Sequence, residues 1–103
     1  MQTGNYYIEY QERMRSTGHW VKSGILKPDD TRFYLLGTID RFAIFERNWL
    51  LGYYHRLVEN RERLPDAMLV SEKEHGTSKG FILRPAASSR GNIPVEKLIQ
   101  EYL

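Results

Sequence analysis

The sequence lacks several features that would assign a function class directly. Its 103 residues contain no cysteine, which excludes disulfides, thiolate metal ligands and a thiol nucleophile. No apolar run approaches the roughly 18 residues that a membrane span needs, and the first residues lack the charged and apolar regions of a signal peptide. We therefore expect a cytoplasmic protein that is not associated with a membrane.

Motifs for catalysis or cofactor binding are also missing. There is no Ser-His-Asp order and no nucleophile elbow. Lys79 precedes a glycine and an apolar segment, whereas the lysine of a Walker loop leads into a helix. His55 and Glu59 have a usable metal-ligand spacing, but no third ligand is evident. The sequence therefore predicts no cofactor, no metal and a protein that is not an enzyme.

What the sequence does contain is typical of one folded domain spanning residues 1–103. Hydrophobic residues make up 41% and aromatic residues 13%, which is enough for a core in a chain of this length. The net charge is only +2, but the positive excess lies in residues 1–27 and 75–95, and the second segment contains no acidic residue. A polyanion would bind those segments first.

The clearest predicted element is a helix from Asp40 to about Arg63. Asp40 is a good N-cap, and Pro65 follows the predicted end. Five large apolar residues recur at helical spacing: Phe42, Phe45, Trp49, Tyr53 and Leu57. The apolar arc is wider than the stripe of a surface helix, so the helix needs cover on more than one side.

A hairpin and a short helix are predicted after this central helix. Residues 67–74 and 81–85 read as strands, and the glycine-bounded segment 75–80 joins them. Residues 86–92 are small and polar and predict a loop. A short C-terminal helix is expected over 93–100, with a proline at its first turn.

The first forty residues are more ambiguous. A strand over 6–14, a turn at 16–18 and a return through 19–21 are favoured, although a helix starting at Asn5 competes. A second ambiguity follows, because residues 32–36 form either a strand ending at a glycine or the start of a longer helix.

Together these elements predict an α+β fold. An antiparallel sheet packs on one long central helix, with a hairpin after it and a short C-terminal helix. The rival is a mostly helical domain in which residues 30–63 form one helix.

Nucleic-acid binding through the basic hairpin and the loop after it, residues 75–92, is the first functional hypothesis. Hydroxyls and cations on a flexible backbone suit phosphate oxygens. Tyrosines and Trp20 near the N-terminal cations would suit base stacking, but Glu9 and Glu12 are interleaved and would repel phosphates. DNA and RNA are not distinguished. The candidate contact residues are Lys79, Arg84, Arg90, Thr77, Ser78, Arg13, Arg15 and Lys22.

Protein binding is the second hypothesis, with the aromatic side of the central helix as the contact surface. Charged residues are seldom buried without a partner. Glu46, Arg47 and Arg56 interrupt the apolar arc, so they either mark its edges or pair across an interface, and at least one of them is expected to pair. A homodimer or an obligate protein partner follows from this hypothesis. The candidate interface residues are Trp49, Tyr53, Tyr54, Arg47 and Arg56.

A small metal-dependent nuclease is the third hypothesis. Asp66, Glu72 and Glu74 faintly resemble a nuclease carboxylate set, to which Glu46 could add a ligand. Asp66 and Glu72 are only six residues apart, however, and would lie on one short strand. A solvated strand face explains them better.

Overall fold

A computed structural model describes residues 5–38, 41–70 and 76–102, and within them the protein is an α+β fold with antiparallel sheets. The described strands are β1 Tyr6–Arg13, β2 Trp20–Lys22, β3 Phe33–Gly37, β4 Phe42–Glu46, β5 Ala67–Leu69 and β6 Ser78–Leu83. The described helices are a 3₁₀ turn at Gly24–Leu26, α1 Arg47–Tyr54 continued by a π-helical turn at His55–Glu59, α2 Pro85–Gly91 and α3 Val95–Tyr102.

The larger sheet has the order β2-β1-β6-β5, and β3 pairs with β4 in a separate hairpin. Along β1 and β6, Ile8 lies opposite Phe81, but Gln11 lies opposite Lys79. Three residues of β1 therefore match two of β6, which is a β-bulge between Glu9 and Gln11. Beyond the bulge, each β1 side chain projects on the opposite face of the sheet from the one that strict alternation would give it.

The core is one cluster of side chains from β1, β4, β5, β6, α1, α2, the 3₁₀ turn and the π-helical turn. Its largest fully buried members are Phe45, Phe81, Leu50 and Leu83. Ile8 joins them from β1, so one face of the larger sheet packs against α1 and β4 at this end of the molecule. Burial of these apolar side chains is the main source of stability for the fold.

The predicted helix from Asp40 is wrong over its first turns, because Phe42–Glu46 is strand β4 and the helix begins at Arg47. The backbone N–H of Thr38 donates to the carbonyl of Arg41 at 2.8 Å, which closes the β3–β4 hairpin. Pairing with β3 thus overrides the helical spacing of the aromatic residues. Asp40 itself lies outside the described residues.

The strand interpretation of residues 32–36 is confirmed by β3, and the rival helix over 30–63 is wrong. The helical segment spans Arg47–Glu59 and is shorter than predicted. It ends where Arg61 adopts a left-handed φ of 54°, which turns the chain away from the helix axis.

The N-terminal strand and its return are confirmed, and a helix from Asn5 is wrong. The hairpin after the helix is confirmed as β5 and β6, although β6 begins at Ser78, inside the predicted turn. Residues 71–74 of the predicted first strand and residue 75 of the predicted turn lie outside the described part of the chain.

The C-terminal helix is confirmed as α3, but the loop predicted over 86–92 is wrong. That segment is α2, in which Pro85 occupies the first turn and the hydroxyl of Ser88 donates to the Pro85 carbonyl at 3.2 Å. Alanines favour the helix, and Ala87 and Ser88 gain burial from it.

Candidate functional site

A cluster of cations around one tryptophan lies at the end of the larger sheet farthest from the core residues Leu83 and Ala67. The guanidinium carbon of Arg13 lies over the Trp20 ring at 5.5 Å from its centre, and Lys79 Nζ lies over it at 4.5 Å. Trp20 is half-buried, and Arg13 is exposed. Such distances fit cation–π contacts, which draw both cations to the same ring.

Strand register explains this grouping. Arg13 of β1 lies opposite Trp20 of β2, and Gln11 lies opposite both Lys22 and Lys79. Residues directly opposite each other in antiparallel strands project on the same face, as do residues two apart on one strand. Arg13, Trp20, Lys22 and Lys79 therefore share one face, and we call them the cationic surface.

The two acidic residues of β1 point away from the cationic surface. Glu12 lies opposite Val21 and Ser78, so it projects on the other face of the sheet. Glu9 precedes the bulge, and its carboxylate accepts a 2.7 Å hydrogen bond from the Ser23 hydroxyl. Glu9 and Glu12 alternate with aromatic and basic residues in the sequence and would repel phosphates there, but the strand geometry directs them away from the cationic surface.

Arg13 is held in place by the segment that leads into β6. Its Nη2 donates to the carbonyl of Gly76 at 2.7 Å, and its backbone N–H donates to the carbonyl of Thr77 at 2.8 Å. A guanidinium has five N–H donors, so one such bond orients the group without exhausting it. Arg13 is therefore positioned beside Trp20 before any ligand arrives.

The other N-terminal and hairpin candidates lie near this surface or behind it. Arg15 is exposed in the turn after β1, and Thr77 is exposed immediately before β6. The hydroxyl of Ser78 is 2.8 Å from that of Tyr7, on the opposite face of the sheet from Lys79. Ser78 is therefore not part of the cationic surface.

Arg84 and Arg90 lie away from Lys79 and from the cationic surface. Lys79 and Arg84 stand at opposite ends of β6, about 16 Å apart from the rise of a strand. Arg84 Nη2 is 3.2 Å from the sulfur of Met68. Arg90 lies on α2 and donates to the carboxylate of Asp66. The structure thus divides the predicted basic hairpin into two separate regions.

Arg90, Asp66 and Tyr53 form a small hydrogen-bonded cluster. The Tyr53 hydroxyl donates to Asp66 Oδ2 at 2.9 Å, and Arg90 Nη2 donates to the Tyr53 hydroxyl at 3.0 Å. Burial raises the pKa of Asp66, but the hydrogen bonds from Tyr53 and Arg90 outweigh it, so the pKa lies below its usual value. Burial, and then the bond to Asp66, raise the pKa of Tyr53. The cluster ties α1 and α2 to the start of β5.

The aromatic residues predicted for a protein interface pack largely inside the chain. Trp49 stacks on Phe45 with ring centres 5.6 Å apart, and its ring lies against Gly91. Tyr53 is buried, and Tyr54 meets the ring of Tyr10 edge-on at 5.1 Å. These contacts give the three aromatic residues roles in packing.

The two arginines predicted for the interface also contact their own chain. Arg47 donates to backbone carbonyls of the 3₁₀ turn and of the segment that joins it to β3, including those of Ile25 at 2.9 Å and Lys27 at 2.6 Å. Arg56 is exposed and pairs with Glu62 at 3.2 Å.

The acidic residues do not converge in the described part of the chain. Asp66 is engaged by Arg90 and Tyr53, Glu72 and Glu74 lie outside the described residues, and His55 contacts Glu59. Among residues 5–38, 41–70 and 76–102, no group of three or more histidines and carboxylates is placed to hold a metal ion. No helix within the same ranges has both the length and the apolar character for a membrane crossing.

Comparisons with protein-family models, with curated proteins and with solved structures found no match. The function of this protein is therefore inferred from the geometry of the cationic surface. The sequence predicts Arg13, Lys22 and Lys79 as contact residues and includes Trp20 only among the aromatic residues near the N-terminal cations. The pairing of Trp20 with Arg13 and Lys79 is visible only once the strands are in register.

Proposed function

We propose that this protein is a non-enzymatic nucleic-acid-binding protein whose contact region is the cationic surface. The observation that carries the proposal is the convergence of Arg13, Lys22 and Lys79 on one face of adjacent strands around Trp20. Cations on a sheet beside an aromatic ring are a common way to hold the phosphates and bases of nucleic acid. Of the eight contact residues that the sequence predicts, this proposal keeps Arg13, Lys22 and Lys79, and it adds Trp20.

Charge and spacing support this function over a binding role for a neutral partner. Adjacent strands are about 4.8 Å apart, so Lys22 and Lys79, which flank β1, lie about 10 Å apart at their backbones. Three cations within this distance create a local positive potential, although the net charge of the whole chain is only +2. The acids of β1 project elsewhere, so they do not cancel it at contact distance.

Salt dependence tests the proposal, because each phosphate neutralised on a duplex contributes about −0.9 to the slope of log K against log salt, and about −0.7 on a single strand. Three contacts predict a slope of about −2 to −3, which is modest. Replacing Arg13, Lys22 and Lys79 together with Gln should bring the slope close to zero. The matched control replaces three exposed cations elsewhere with Gln: Arg41, Arg63 and Lys97.

The measurement is fluorescence anisotropy of labelled oligonucleotides over a range of salt concentrations. The proposal predicts that the control variant keeps the slope of the parent and that the cationic-surface variant loses it. Equal slopes for both variants would place the contact region elsewhere. A parent protein that binds neither DNA nor RNA at low salt would remove the proposal altogether.

Protein binding is a second candidate function. One observation favours the β3–β4 hairpin, instead of the central helix, as its contact surface. Leu35 is 63% exposed and Phe42 is 40% exposed. Leu35 lies opposite Ile44, and Phe42 is two residues from Ile44, so the two side chains share a face. Light scattering tests a homodimer directly. A mass of about 12 kDa at micromolar concentration would contradict self-association through this face.

A further inference from the structure

We infer that the ligand of the cationic surface is a single-stranded nucleic acid, with one unpaired base stacked on Trp20. This inference rests on the proposed function and makes it more specific. The cations alone would suit any polyanion. The ring at their centre is what favours an unpaired base, because a base that is paired and stacked within a duplex offers no free face to a side chain.

Trp20 is placed to accept a planar partner. It lies at the start of β2, a three-residue edge strand. It is half-buried, and its ring already forms cation–π contacts with Arg13 and Lys79. The ammonium of Lys79 is 4.5 Å from the ring centre at the end of a flexible side chain. A base can take the place of this ammonium, which then needs to move only a few ångströms to meet the adjacent phosphate.

Arg13 supports the same ligand, because it is anchored to the Gly76 carbonyl and so offers a fixed cation beside the ring.

The size of the surface also favours a single strand. Its cations lie within three adjacent strands, about 10 Å across. A duplex-binding protein that makes about 6–10 phosphate contacts needs a wider cationic footprint. Base stacking adds affinity that the three cations cannot supply alone, because one stacked base changes the Kd by about 5- to 150-fold.

The test compares binding of fluorescein-labelled oligothymidine, oligouridine and a DNA duplex, each of about 12 nucleotides or base pairs, within the site sizes of small single-strand binders. The parent should bind at least one of the two single strands at least tenfold more tightly than the duplex. Trp20→Leu should weaken that binding about 5- to 150-fold, whereas Trp20→Phe should keep most of it. Phe42→Leu is the matched control, because it removes an exposed ring from the other sheet.

Fluorescence quenching adds a readout that does not depend on the stability of the leucine variant. Oligothymidine or oligouridine should quench the tryptophan emission of the parent, and that quenching should be lost in Trp20→Phe while binding remains. Thermal unfolding of each variant confirms that it is folded.

The outcomes separate this inference from the proposed function. Equal affinity for duplex and single strands, or undiminished binding by folded Trp20→Leu, overturns the stacking inference. The proposed function survives that result if the salt slope still depends on the cationic surface. Failure of the parent to bind any of the three nucleic acids overturns both.

Discussion

Arg47 provides the sharpest stability prediction, because one guanidinium holds a whole connecting segment. Its Nε donates to the carbonyl of Ile25 at 2.9 Å, its Nη2 to that of Lys27 at 2.6 Å and its Nη1 to that of Asp29 at 2.8 Å. A weaker contact reaches the carbonyl of Thr31 at 3.5 Å. The Arg47 side chain is only 19% exposed. Removing it leaves the segment between the 3₁₀ turn and β3 without this attachment.

The magnitude follows from these contacts. Hydrogen bonds from a charged donor contribute about 1.5–3 kcal/mol each when buried, but the carbonyls of Lys27 and Asp29 lie in exposed chain and can regain water. We therefore assign about 1 kcal/mol to each of the three short bonds. The ion pair with Asp29, at 3.7 Å and half exposed, adds little. Arg47→Ala should lower the free energy of unfolding by about 3 kcal/mol, a large share of the 5–15 kcal/mol typical of a domain.

Urea unfolding followed by circular dichroism measures the effect. Arg47→Lys should recover only about 1 kcal/mol, because a single ammonium cannot reach three carbonyls in a fixed fork. Arg41→Ala is the control, since Arg41 is exposed, and it should change stability by less than about 0.5 kcal/mol. If Arg47→Ala fell within the range of the control, or if Arg47→Lys matched the parent, the attachment described above would not stabilise the fold.

Two further predictions test the packing around α2. Gly91→Ala should lower the free energy of unfolding by about 1–3 kcal/mol, because its new methyl group would clash with the Trp49 ring. Gly52→Ala is the control, because its methyl group meets open space on α1, and it should be neutral or stabilising. Thermal unfolding of both variants measures the difference. Asp66→Asn should lower stability at pH 7 by about 1–3 kcal/mol, because the carboxylate binds Arg90. The folded pKa of Asp66 is depressed, so its contribution is present above about pH 4 and is lost as the pH falls through the folded pKa. The difference between parent and variant should therefore shrink in acid, and a difference that stayed constant down to pH 2 would contradict the assignment.

The sequence predicted the elements whose periodicity and local signals agree. Alternation over residues 6–14, and the turn and return after them, identified β1 and β2. Pro94 and the apolar side of the last segment identified α3. Residues 42–46 could not be assigned from spacing, because their apolar side chains fit a helix face as well as a buried strand. Pairing with β3 decided between them, and such pairing depends on residues distant from any local window.

The candidate site was predicted only in part, because a β-bulge changes the phase of β1. Strict alternation along the strand would place Arg13 on the face of Tyr7 and Glu9, among tyrosine and carboxylate. The bulge between Glu9 and Gln11 moves Arg13 to the face of Lys79 instead. No residue in this segment signals a bulge by its type. Composition therefore located the cations but could not show which of them meet.

The same phase change has a consequence for experiment. One face of the larger sheet belongs to the core where Ile8 and Phe81 meet. The same face becomes the cationic surface at Lys79, two residues before Phe81 in β6. Stability and the proposed binding therefore use opposite ends of the same strands. Surface substitutions usually change stability by less than about 0.5 kcal/mol, so variants of the exposed Arg13 and Lys22 should keep the fold of the parent. A loss of nucleic-acid binding in such folded variants can then be attributed to the surface itself, because the core residues that support it are untouched.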